Sequence, residues 1–297
     1  MAKKSTVINK AREDFESQLE REVNGAIKLK MTVSWERIEE VFHKVMNVFI
    51  AEVELPGFRK GKVPREKAEA QIDKTKVYEK VVQEILPFAY KKAVETHKIK
   101  PVIYPDFGVE KAKEGEDWVF NALTCESPVV ELGEYVEKIK QKVGNKRPKE
   151  TKEALKDEEK DEWEQKVLET LLEVVSVEIP DLLIKAEANH RLSQLIAKTE
   201  RLGVSMPAYL NSIKKTEEEL KAEYAKEARR AIETEVVLNE IFVKEGLKVS
   251  DKEVDKIIEV SGDEKIRQQL SDSPEQRAAI RRMLSRRAAF NFVLASI

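Results

Sequence analysis

Between Glu137 and Lys166 the chain carries ten Lys/Arg residues and nine Asp/Glu, so thirty consecutive positions offer almost nothing to bury. A chain interrupted in this way does not close around one core. The sequence predicts a first domain over residues 1–135, a charged linker over 136–162 and a second domain over 163–297. The length agrees, since 297 residues correspond to about two domains of ordinary size. Within the linker, Gly144-Asn145-Lys146-Arg147-Pro148 reads as a break, and Glu150 to Glu162 as either a single solvated helix or a coil.

Composition narrows the class. Charged residues make up 37% of the chain, yet 54 Lys+Arg against 56 Asp+Glu leave a net charge of −2, which argues against a uniformly basic nucleic-acid binder. With 10 Gly and 10 Pro, long exposed helices are expected. Cys125 is the single cysteine, which excludes an intramolecular disulfide and a cysteine-based zinc site built from this chain alone. A reducing cytosol fits that usage. No apolar segment follows Lys3 and Lys4, and no run approaches the ~18 apolar residues of a membrane span, so a cytoplasmic protein without a membrane partner is expected.

Ala26 to Val33 alternates apolar Ile27, Leu29, Met31 and Val33 with Lys28, Lys30 and Thr32, the pattern of a half-buried strand. After Ser34, a candidate N-cap, Trp35, Ile38, Val41, Phe42, Val45, Met46 and Phe49 recur at helical spacing, to about Glu52. Ile8 to Val23 has no clear pattern. A second amphipathic helix runs from Val77 to His97, with a kink or break expected at Pro87. Val102 to Tyr104 and Trp118 to Thr124 read as extended segments. These elements predict an α+β N-terminal domain.

The C-terminal part reads as all-α and elongated. Trp163, Val167, Leu171, Val174 and Val175 form one stripe, Asp181 to Leu202 forms a helix closed by Gly203, and Pro207 to Lys215 forms a shorter one. Thr216-Glu217-Glu218-Glu219, Ser250-Asp251-Lys252-Glu253 and Ser273-Pro274-Glu275-Gln276 are three capping boxes, the last with Pro at N1.

Leu55-Pro56-Gly57-Phe58-Arg59-Lys60-Gly61-Lys62-Val63-Pro64-Arg65 stands apart. Its glycines and prolines fix a turn between helices, and Arg59, Lys60, Lys62 and Arg65 lie on it without an acid, beside Phe58. Cations on a short constrained loop suit phosphates or an acidic protein surface, and Phe58 suits an apolar pocket or a stacking face. A solvated helix–helix turn is the plainer alternative.

Gly57 to Pro64, GFRKGKVP, resembles the signature loop of the trigger factor family of bacterial ribosome-associated chaperones. Val177-Glu178-Ile179-Pro180-Asp181, Lys215-Thr216-Glu217-Glu218-Glu219-Leu220 and Glu245-Gly246-Leu247-Lys248-Val249-Ser250 resemble the family's helical arm domain. Together the resemblance spans about 26 to 135 and 163 to 297. It implies that Phe58, Arg59 and Lys60 contact the ribosome at the nascent-chain exit and that Gly57, Gly61 and Pro64 shape the loop, with Lys62 beside them. The implied partners are a ribosomal protein beside the exit tunnel, neighbouring ribosomal RNA, unfolded nascent polypeptides and, away from the ribosome, a second copy of the chain. Members of the family usually insert a prolyl-isomerase domain of the FKBP type, a globule of about 100 residues. Only Ser127 to Glu162 is available here, so the chain departs from the family by lacking it.

No catalytic residue, cofactor or metal site is expected. His43, His97 and His190 fall on separate predicted helices without ligand spacing, and Cys125 reads as a buried packing thiol. Arg277, Arg281, Arg282, Arg286 and Arg287 read first as helix-dipole compensation and pairing with nearby acids, and second as an anionic contact. Leu168, Leu172, Val237 and Ile241 are expected in the core of the arms, while other apolar patches stay open as a client cradle. The resulting expectation is an ATP-independent chaperone docked through the 57–65 loop. The alternatives are a prolyl isomerase of the same family and an RNA-binding ribosome-assembly factor.

Overall fold

The structure, a computed structural model, describes residues 7–10, 14–59, 61–144 and 157–297. Contacts divide the chain into two units, one of residues 1–127 with 180–183, the other of residues 128–179 and 184–297.

The first unit is an α+β domain. Strands β1 (Val7–Lys10), β2 (Phe15–Arg21), β3 (Ala26–Val33), β4 (Asp106–Lys111) and β5 (Trp118–Cys125) form an antiparallel sheet in the order β1-β2-β3-β5-β4. The alternation of β3 sets its facing: Ile27, Leu29, Met31 and Val33 are all buried, with Leu29 opposite Ala122 and Met31 opposite Phe120 on β5. On that face lie α1 (Trp35–Glu52) and α3 (Lys74–His97), whose Ile38, Val45, Val77, Val81 and Ile85 join the same core. The short α2 (Arg65–Glu69) stands between them in sequence. Ser34 caps α1 by accepting from the Arg37 amide at 3.4 Å.

The structure departs from the sequence pattern at three places in this unit. The unassigned segment Ile8 to Val23 supplies β1 and β2. Its pattern is obscured because the inward row of β2 is Phe15, Ser17, Leu19, with a polar residue at its centre that hydrogen-bonds His97 Nε2 at 3.0 Å. No break occurs at Pro87, since α3 continues to His97. Pro87 and Gln83 are both exposed, so the carbonyl released by the missing N–H faces solvent. The strand expected near Val102 to Tyr104 lies instead at Asp106–Lys111, where an edge position and a register shift at Val109/Lys111 accommodate a glycine and three charged residues.

The second unit is mainly helical. It contains β6 (Val129–Glu131) paired antiparallel with β7 (Ser176–Glu178), and helices α4 (Tyr135–Val143), α5 (Asp157–Val174), α6 (Asp181–Arg201), α7 (Met206–Ile213), α8 (Glu217–Lys244), α9 (Asp251–Glu259), α10 (Glu264–Asp272) and α11 (Pro274–Ser296). The first three residues of α6 belong by contact to the first unit. Thr216 and Ser250 open α8 and α9 with complete capping boxes. Ser273 caps α11 by accepting from the Gln276 amide at 3.3 Å, with Pro274 at N1. Gly203, at φ +70°, ends α6 as expected, and the Val204 amide donates to the Thr199 carbonyl at 2.9 Å.

The mixed-charge stretch is not bare. Ile139 of α4 and Val167 and Leu171 of α5 are fully buried, in one cluster with Val237, Ile241, Ala289 and Val293. A count of charges hides this because Val136, Ile139 and Val143 recur at helical spacing among the lysines, leaving one apolar stripe on a charged helix. Residues 145–156, which hold most of the expected break and solvated helix, lie outside the described residues.

Candidate functional site: the basic loop

The loop between α1 and α2 is built from two successive four-residue turns. In the first, the Phe58 amide donates to the Leu55 carbonyl at 3.0 Å, with Pro56 second and Gly57 third at φ +87°. That is the residue order a type II turn requires, because only the third position takes a positive φ. In the second, the Lys62 amide donates to the Arg59 carbonyl at 2.9 Å, and Gly61 is third at φ +74°. The Pro64 carbonyl then accepts from the Lys67 and Ala68 amides at 3.0 and 3.1 Å and starts α2. Val63 and Ala68 are buried and fasten the base of the loop, while Gly57, Arg59, Gly61, Lys62 and Pro64 are exposed. Phe58 keeps 39% of its surface exposed, a sizeable apolar ring left in solvent. Lys60 lies outside the described residues.

The charges of the loop are not equivalent. Arg65 belongs to α2 and pairs through Nε with Glu69 at 2.6 Å, so the expectation of four cations with no neutralising acid holds for fewer of them. Among the described residues, no carboxylate lies within ion-pair distance of Arg59 or Lys62. Lys67, which no sequence motif singles out, places Nζ 5.3 Å from the centre of the Phe58 ring. The only signal for it is its place in the first helical turn after Pro64. Among the described residues, Arg59 and Lys62 therefore present positive charge without a carboxylate partner beside one exposed aromatic ring.

The arginines of α11 behave differently. Arg277 pairs with Asp255 at 2.9 Å, Arg281 with Asp251, and Arg286 with Glu235 at 3.3 Å. Pairing with neighbouring acidic helices is thus their main state. The dipole part of the expectation is corrected, because the last turn of α11 carries no basic residue.

His43, His97 and His190 stand on α1, α3 and α6. His97 is engaged with Ser17, and burial draws its pKa below the usual value despite that hydrogen bond, while His190 pairs with Gln194 at 2.9 Å. Cys125 is fully buried and its thiol is pushed up to about 11 by burial, which makes it a poor nucleophile. In the second unit Val237 and Ile241 are fully buried, whereas Leu168 and Leu172 are only partly so. Among the described residues, no helix is long and apolar enough to cross a membrane.

The family model for the bacterial trigger factor protein matches residues 15–163, and the model for the trigger factor C-terminus matches residues 136–295. Trigger factor of Natranaerobius thermophilus is 38% identical over 109 residues, covering 37% of this chain and 24% of that protein. Trigger factor of Syntrophomonas wolfei is 37% identical over 118 residues, covering 40% and 27%. The chain thus spans about a quarter of the length of these curated relatives. A solved structure from work on promiscuous substrate recognition in folding and assembly activities of the trigger factor chaperone is similar in fold, with a TM-score of 0.64 at 14% identity over 97% of this chain and 99% of that one. With family models matching half of its residues at each end, the chain belongs to the trigger factor family.

Proposed function

We propose that this protein is an ATP-independent chaperone of the bacterial cytoplasm that docks at the ribosomal exit tunnel through its 57–64 loop and shields nascent polypeptides. The observation that carries the docking role is the tip itself: Arg59 and Lys62 without carboxylate partners among the described residues, around a Phe58 ring left 39% exposed on a doubly turned backbone. Gly57, Gly61 and Pro64 hold the shape, while Phe58, Arg59, Lys60 and Lys62 make the contacts. The ring seats in an apolar recess of a ribosomal protein, and the cations meet acidic side chains or the phosphates of adjacent ribosomal RNA. Membership of the family and the shared fold support the chaperone role. The N- and C-terminal family matches overlap across residues 136–163, which supports a chaperone without an isomerase domain between them. Clients are held by exposed apolar surface and released without covalent chemistry, weakly enough that folding competes for the same groups.

Co-sedimentation with ribosomes tests the docking role. The variant carrying Phe58→Ala, Arg59→Ala and Lys60→Ala should lose about a hundredfold or more in affinity with no loss of thermal stability. Undiminished binding overturns the assignment.

A further inference from the structure

Helix α7 is mostly apolar, yet none of its residues is fully buried. Met206, Tyr209, Leu210 and Ile213 recur at i, i+3, i+4 and i+7, so they share one face, and each is only half-buried. The bend at Gly203 that leads into α7 extends this surface. Ile196, Leu202 and Val204 are 40%, 71% and 37% exposed there. Exposed apolar residues on an ordinary surface are scattered singly, whereas these follow one another along a single short segment.

Charge decides what fits. Between Ile196 and Thr216 stand four cations, Lys198, Arg201, Lys214 and Lys215, against the one acid Glu200, a local charge of +3 in a chain whose net charge is −2. Lys215 pairs with Glu223. Lys198, Arg201 and Lys214 are exposed, and among the described residues no carboxylate lies within ion-pair distance of them. Lys198 and Arg201 line a shallow groove of about 550 Å³ together with Gln194, Ala197 and Leu202, so free cations and the most exposed leucine border one hollow. Aliphatic Leu202 and Val204 offer no stacking face to a nucleic-acid base, and an acidic protein surface would answer the cations alone. An anionic bilayer answers both, with phosphates at its surface and hydrocarbon just beneath.

We propose that the 196–214 segment binds the surface of an anionic phospholipid bilayer, with Lys198, Arg201 and Lys214 at the phosphates and Leu202, Val204 and the half-open face of α7 at the acyl boundary. Among the described residues no helix is long and apolar enough to cross a membrane, so the contact is peripheral. The expectation of no membrane partner rests on the lack of a span and does not bear on a surface contact. Nor does the proposal depend on the docking role of the 57–64 loop. Co-sedimentation of the full chain with vesicles tests it, comparing phosphatidylcholine alone with phosphatidylcholine and phosphatidylglycerol in equal parts. Each cation at an anionic surface contributes about fivefold in affinity, so three cations less Glu200 should give a preference of roughly twenty-five-fold for the anionic vesicles, and about 1 M salt should erase it. Lys198→Gln with Arg201→Gln should remove the preference, and Leu202→Ser should weaken binding about tenfold. The variant carrying Phe58→Ala, Arg59→Ala and Lys60→Ala should bind vesicles as the unsubstituted protein does. Because Cys125 is buried, an environment-sensitive dye on Leu202→Cys should report apolar surroundings, and only with anionic vesicles. Equal binding to both vesicles, a dye that stays in water, or loss of vesicle binding in the 58–60 variant overturns the proposal. So does binding to filter-retained RNA that depends on Lys198 and Arg201 while vesicle binding does not, since phosphate alone would then be the ligand.

Discussion

The tip between α1 and α2 and the arginine row of α11 contain similar residues and reach opposite states. At α11, guanidinium groups stand within reach of acids on α8 and α9, and the row is largely neutralised. At the tip, two glycine-centred turns project Arg59 and Lys62 away from any described carboxylate, and the ring of Phe58 goes with them. On the proposed reading, a basic cluster serves for docking only where the backbone withholds it from the protein's own acids. Charge content alone does not distinguish the two.

The contrast can be broken from the α11 side. Replacing Glu235, Asp251 and Asp255 by Gln, Asn and Asn releases three arginines. These acids are half or more exposed, so each pair contributes at most about 1 kcal/mol, and the triple variant should lose about 1–2 kcal/mol. It should also acquire salt-sensitive binding to naked RNA, measured by filter retention; an unchanged RNA affinity would show that neutralisation is not what separates the clusters.

The tip can be tested through its backbone. Among the described residues, a Cβ on Gly61 would meet only the Ala51 carbonyl oxygen, at an ordinary 3.8 Å, so Gly61→Ala should cost about 1 kcal/mol from its positive φ. Ribosome affinity should fall with it, while Cys125 should stay unreactive to thiol reagents, because the core around it is untouched. Lys67→Met probes the ring. Loss of a cation about 5 Å from an exposed aromatic face should weaken docking roughly two- to fivefold without altering stability in urea.

The smallest effect is one of pH and serves as a baseline for these comparisons. Burial lowers the folded-state pKa of His97, so the unfolded chain binds that proton more readily. The stability of the first unit should therefore be full above about pH 6.5 and decline as the pH falls below it. Cys125 reactivity in urea reports this unit specifically, and His97→Gln should flatten the slope.

Much of the local architecture is legible in the residue pattern. The alternation of β3, the two complete capping boxes, the Gly203 stop and the turn chemistry of 55–64 all appear where the spacing of residues predicts them. β2 escapes such a reading because Ser17 interrupts its apolar row, and α4 because its charged residues are as many as its apolar ones. The loop is recognisable as basic and constrained, but the loss of Arg65 to Glu69 and the approach of Lys67 to Phe58 are not.

The sequence by itself determined the local features: periodicity that selects helix or strand, caps that act over three residues, and glycines whose freedom at positive φ shapes a tip. Tertiary structure alone decided which cations stay free, which strands pair and where a groove opens. The physical reason is range. Turns and caps join neighbours, whereas Arg281 meets Asp251 across thirty positions and Ser17 meets His97 across eighty. No local pattern records whether such distant groups will arrive at the same place.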